Sequence, residues 1–175
     1  MVNKEAHDAV VELWKLTVKT RALCPWTDER AIGITRYQSP PWYRKRGAVD
    51  SVELARPLTA GDVQQLQQIA GFVNRSFVIS MAAVLEAYEV VPYGKRPDCS
   101  KKGGKHAQLT KRLRNHFAHG DWEYDAGKSE HVKTRRLLEE LFPAGASEGP
   151  GFVLLIDKIL EPLKDGVLAY IAAST

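Results

Sequence analysis

From Leu66 to Tyr88 the chain carries Leu66, Ile69, Val73, Phe77, Ser80, Met81, Val84, Leu85 and Tyr88. These follow the i, i+3, i+4, i+7 recurrence that a helix gathers onto one face. Thr59 precedes the stripe as an N-cap, with Asp62 three residues later in the manner of a capping box. The spacing predicts one long helix over 59–89. A face of that length has to be covered by other apolar faces, so this helix is the expected centre of the core. Met81 in such a stripe is packing material, and no cofactor is assigned to it.

Four further segments supply the covering faces. A first helix is expected from Asn3, an N-cap, with Val10, Leu13, Trp14 and Val18 on one side and Cys24-Pro25 as its end. A short helix over 105–119 carries Leu109, Leu113 and Phe117, and Gly120 supplies the left-handed residue that stops it. A helix over 129–142 carries Val132, Leu137, Leu138 and Leu141. The last, over 151–173, carries Phe152, Leu155, Ile156, Ile159, Leu163, Val167, Tyr170 and Ile171, and Pro162 should kink it or split it in two. The sum is an all-α chain, an antiparallel bundle of about five helices forming a single domain over 1–175.

A long proline-rich insertion follows the first helix, at about 25–58, where Pro25, Pro40, Pro41 and Pro57 interrupt any long helix. Within it Ala31 to Tyr37 has strand character but no obvious partner. Arg36, Tyr37, Trp42, Tyr43, Arg44, Lys45 and Arg46 interleave aromatics with cations. Such a mixture either stacks on single-stranded bases while neutralising phosphates, or folds Trp26, Trp42 and Tyr43 over the core with the cations outward.

At 175 residues, 44% hydrophobic and 26% charged, the composition is that of a soluble globular domain. The longest nearly unbroken apolar run, Phe77 to Leu85, is far short of the roughly 20 residues that span a bilayer. Glu5 and Asp8 stand where a signal peptide is basic and then apolar. Two cysteines, Cys24 and Cys99, are too few for a disulfide framework. The expectation is therefore a cytoplasmic protein with no membrane partner.

The net charge of +4 and pI near 9.1 matter less than their distribution. Lys95, Arg96, Lys101, Lys102, Lys105, Lys111, Arg112 and Arg114 face the single acid Asp98 between positions 95 and 114. By itself this is either a solvated surface or an anion-attracting field. It leads into Lys111-Arg-Leu-Arg-Asn-His-Phe-Ala-His-Gly-Asp121, where Arg114, Asn115, His116 and His119 crowd one helix end. Arg offers a permanently charged planar fork suited to phosphate, and His titrates near neutrality. Cleaving a phosphodiester without a metal requires charge stabilisation and proton transfer.

Arg114 and His119, five residues apart, stand about 140° apart around an ideal helix, whereas Asn115 and His119 share a face. Three other roles for the cluster stay open on spacing alone. Arg114 pairs with Asp121 or Glu123, His119 caps the helix carbonyls, or His116 and His119 join His106 or Cys99 around a metal. The last is a weak signature, since no ordered ligand set accompanies the H-x-x-H pair. Glu86, near the end of the long helix, faces either the cluster or water, and water is favoured.

The string Leu113-Arg114-Asn115-His116-Phe117-Ala118-His119-Gly120 resembles the signature of the HEPN superfamily, all-helical bundles with R-x-x-x-x-H, often with Asn after the Arg and Ala-His-Gly at the end. The similarity extends loosely to Leu85-Glu86-Ala87 and to the helical order of the C-terminal half, but not to the proline-rich region. It implies a metal-independent endoribonuclease acting as a homodimer, with no cofactor. Arg114 would bind the scissile phosphate, His119 would be the general acid/base, and Asn115 would orient phosphate or imidazole. His116, outside the family pattern, is assigned with Lys111, Arg112, Lys105, Lys102 and Lys101 to substrate binding. RNA is the implied substrate. The implied setting is antiphage defence or a toxin-antitoxin system, with a nucleotidyltransferase-type antitoxin or another regulatory partner. Some members of the family are non-catalytic modules for dimerisation or for binding nucleotide or nucleic acid.

Overall fold

The computed structural model describes residues 2–24, 28–44, 50–120, 123–143, 152 and 154–174. The architecture is all-α: α1 (Val2–Leu23), a short α2 (Pro41–Arg44), α3 (Ala60–Ala87), α4 (Gly104–Ala118), α5 (Ser129–Leu141) and α6 (Glu161–Ala173). The chain divides into two compact units, one formed by residues 15–74 and one by residues 1–14 together with 75–175. The first of these is wider than the expected insertion, because it takes in the end of α1 and the start of α3.

In the 15–74 unit, Arg36–Gln38 (β1) and Ser51–Glu53 (β2) pair antiparallel with Tyr37 opposite Val52. The strand expected over 31–37 thus starts later and has a partner. Ala31 belongs instead to a single 3₁₀ turn, Glu29–Ala31, capped by the Asp28 carboxylate. Tyr37 donates its hydroxyl proton to the Leu23 carbonyl at 2.6 Å. Tyr43 is buried, with the Lys19 ammonium 5.9 Å from its ring centroid, so this aromatic packs inward. Trp26, Lys45 and Arg46 lie outside the described residues. The capping box at the start of α3 is formed. The Thr59 amide donates to the Asp62 carboxylate at 2.8 Å, and the Asp62 amide to the Thr59 hydroxyl at 3.2 Å. Arg56 and Thr59 beside it hold the Asp62 carboxyl well below the usual carboxylate range. Ile69, expected on the core stripe, is 43% exposed, and the buried face runs instead through Val63, Ala70 and Asn74.

In the other unit the stripe is as expected: Phe77, Met81 and Leu85 are buried, as are Val10 and Trp14 of α1. Leu109, Leu113 and Phe117 form the inner face of α4, which packs on α5 and α6. By length and composition α3 is the one described helix that meets the requirement for crossing a membrane. Here its second half carries the core.

The last helix begins later than the sequence suggests. Leu155 is extended and 39% exposed, and Ile156–Leu160 forms a π-helical turn. Leu160 and Glu161 are both helical in φ and ψ, so the π turn runs on into α6, and Pro162 lies just past the change from one to the other. The segment is therefore not split in two at the proline; its geometry changes there from π to α.

α4 and α6 approach closely enough that side chains are excluded. Gly103, the N-cap of α4, has φ +77°, and a Cβ there would lie 2.0 Å from the Gly166 carbonyl oxygen of α6. A Cβ on Gly166 would lie 2.1 Å from Cγ of His106. His106 packs edge-on against Phe142, ring centroids 5.7 Å apart, and burial lowers its pKa from the ordinary 6.5. The unfolded chain therefore binds this proton more readily than the folded one. Its contribution to stability is full above pH 6.5, falls as the pH drops below that value, and levels off once the folded-state group has titrated. Urea midpoints measured from neutral pH downward should show this loss, and His106→Gln should flatten it.

Candidate functional site

The end of α4 is fixed by its backbone. The His119 amide reaches back to the Asn115 and His116 carbonyls, the Gly120 amide closes on the Phe117 carbonyl, and Gly120 takes φ +75°. This is the left-handed stop expected for a helix terminus. Leu113 and Phe117 point into the core, which leaves Arg114 half-buried and Asn115 and His119 exposed.

Arg114 and Asn115 line an open cleft of about 380 Å³, together with Glu86 from α3, Gln108, Lys111 and Arg112 from α4, Glu130 from α5 and residues 93–97. Five basic and two acidic side chains face it, so its field is positive and suits an anion. One Arg114 nitrogen donates to the Asn115 side-chain oxygen at 3.1 Å. Of the five N–H donors an arginine carries, this uses one. Glu86 faces the cluster, which corrects the reading that placed it toward water. Its carboxylate stands 3.4 Å from the Lys111 ammonium and 3.7 Å from the Arg114 guanidinium, and it is 17% exposed. The second separation is beyond hydrogen-bonding range. Glu86 therefore orients Arg114 by charge and leaves its donors open to a tighter acceptor such as a phosphate oxygen. Arg112 is held by Glu130 at 2.7 Å, and Lys133 and Arg112 keep that carboxyl below its ordinary range.

Among the described residues, the acid facing Arg114 is Glu86. Glu123 is exposed and Asp121 lies outside the described residues. His119 is exposed one turn beyond Asn115, on the same helix face by its i, i+4 spacing, and is not among the residues lining the cleft.

The structure places His116 elsewhere than expected. It is buried, stacked on Phe152 with ring centroids 5.3 Å apart, and set edge-on to His131 at 4.4 Å. The Thr134 hydroxyl donates to the Glu130 carbonyl at 2.7 Å, so its oxygen is left to accept from His116 Nε2–H at 2.9 Å. His131 Nδ1 in turn accepts the Asp125 amide at 3.0 Å. These bonds place a proton on His116 Nε2 and make His131 Nδ1 an acceptor. His116 is therefore a core residue and touches no solvent-borne phosphate. The same burial separates it from exposed His119, so the H-x-x-H pair does not act as one ligand set.

The expected substrate-binding cations also divide. Lys111 and Arg112 line the cleft, and so do Lys95 and Arg96 of the basic run. Lys105 is paired with Glu140. Lys101 and Lys102 lie in the loop before α4, outside the lining. Tyr93, Gln108 and Glu130 are lining residues that the sequence reading did not single out. Compared with protein-family models, curated proteins and solved structures, the chain finds no match.

Proposed function

We propose that this chain is a metal-independent endoribonuclease of HEPN type. The observation that carries the reading is that Arg114 and Asn115 open together into a cationic cleft at the end of the helix on which His119 stands exposed.

In the proposed reaction a phosphate of RNA enters the cleft, and Arg114 takes its non-bridging oxygens with Lys111 beside it. The ribose 2′-hydroxyl attacks phosphorus while an imidazole removes its proton. The P–O5′ bond breaks as a second imidazole, charged, delivers a proton to the departing oxygen. Arg114 offsets the negative charge that builds on the phosphoryl oxygens, the role in which a fixed guanidinium is most effective. Asn115 holds Arg114 and orients what lies between it and His119. One chain offers one exposed imidazole at this helix end, so the acid and the base are best supplied by two copies, His119 and the partner subunit's His119, in a homodimer. The products are a 2′,3′-cyclic phosphate and a 5′-hydroxyl. A role in antiphage defence or as a toxin held in check by an antitoxin, of nucleotidyltransferase type or otherwise, fits a cutter of this kind.

The exclusion of His119 from the cleft lining favours a second reading, in which the chain binds nucleic acid or nucleotide and leaves it whole. Incubation of the purified protein with RNA in excess chelator separates the two. Cleavage that persists in chelator supports the nuclease. Tight, salt-sensitive binding with RNA left intact supports the binding module.

A further inference from the structure

Tyr93 is 84% exposed. An isolated exposed tyrosine is ordinary, but this one stands on a turn fixed at several points and lines the cationic cleft. The Lys95 amide closes the turn on the Pro92 carbonyl at 3.0 Å, and Gly94 takes φ +74°, as the third position of a type II turn requires. Before the turn, the Val91 amide donates to the Leu85 carbonyl at 3.0 Å and the Val91 side chain is buried. Beyond it, the Asp98 amide donates to the Tyr170 hydroxyl at 3.1 Å. The Lys95 carbonyl itself accepts from the Lys111 ammonium at 2.7 Å. The aromatic ring is thus carried on a segment anchored on both sides and tied to a cation of the cleft.

A held, solvent-facing ring next to phosphate-binding cations is the combination that takes single strands. The cations track the backbone and the ring offers a platform for a base. A base within a duplex has both faces covered by its neighbours and cannot use such a platform. The volume of about 380 Å³ lies at the small end of ligand sites, which suits a single nucleotide.

We infer that Tyr93 is a specificity-determining residue of this cleft: it stacks on one base of single-stranded RNA while Lys95, Lys111 and Arg114 hold the adjacent phosphates, and so restricts the protein to unpaired segments. The inference rests on the RNA reading of the same cleft, but it concerns binding and not cleavage.

The test uses the full chain and a short fluorescein-labelled oligouridylate with 2′-deoxy sugars, which lacks the nucleophile and stays intact. Anisotropy titrations should show Tyr93→Ala binding this strand roughly 10-fold more weakly than the wild type, the scale of one base stacked on an aromatic ring. Tyr93→Phe should restore the affinity. The loss should be the same at low and high salt, because stacking releases no counterions. The same strand annealed to its complement should bind more weakly and with no dependence on residue 93. Equal affinity of Tyr93→Ala and wild type for the single strand overturns the inference, as does preference for the duplex or no binding by the wild type. Cleavage of ordinary RNA is scored separately. Cutting without a Tyr93 effect removes the stacking site and leaves the nuclease, whereas Tyr93-dependent binding without cutting does the reverse.

Discussion

Replacing His119 by alanine should lower RNA cleavage by about 10²–10⁴-fold, the range that a positioned proton donor or acceptor contributes. Because His119 is exposed at the end of α4 and makes its helix-closing bonds through its backbone amide, His119→Ala should melt with the wild type. Its affinity for an uncleavable strand should also be unchanged. Arg114→Ala should differ on this last point and lose both cleavage and binding, since the guanidinium faces the cleft in the ground state too. Arg114→Lys should recover little, because a point charge does not reproduce the planar fork. Gel-based cleavage rates and anisotropy titrations on the three variants check the pattern. A His119→Ala protein that cuts at the wild-type rate would remove the imidazole from the chemistry.

Gly103→Ala should destabilise the fold by about 3 kcal/mol, through two costs that add: a side chain at positive φ and overpacking against fixed atoms. The added Cβ would meet the Gly166 carbonyl oxygen at 2.0 Å and the Tyr170 amide nitrogen at 2.7 Å. Both are backbone atoms of α6, which cannot move aside as the end of a side chain can. Gly94→Ala is the matched control, since Gly94 also has positive φ, +74°, but nothing lies within 4 Å of its Cβ position. It should lose only about 1 kcal/mol. Circular dichroism melts of the two variants isolate the helix crossing. Equal losses would mean that α4 and α6 are not in the close contact described.

The helices were legible because their signal is local. Leu109, Leu113 and Phe117 repeat on one turn-to-turn stripe, and burial follows the stripe whatever packs on it. The same periodicity held the correct reading of His116, which lies seven residues after Leu109 and three after Leu113, squarely on the apolar face. The motif it sits in drew attention to its chemistry and away from its position. Glu86 was not assignable, because helical spacing gives the face of α3 it occupies but not which element covers that face. Tyr93 carries no periodic signal at all, and its role depends on a turn one of whose anchors, Tyr170, is remote in the chain. The pairing of Arg36–Gln38 with Ser51–Glu53 was hidden because strands of three residues are too short to show alternation.

The central claim is that side chains of this protein alone drive attack by a ribose 2′-hydroxyl. The most direct measurement is the mass of the fragments left when a single-stranded RNA is cut in excess chelator. The account requires a 2′,3′-cyclic phosphate on one fragment and a 5′-hydroxyl on the other, and no cut at a position whose 2′-hydroxyl has been removed. A 3′-hydroxyl with a 5′-phosphate, or cutting that continues past a 2′-deoxy position, would contradict it.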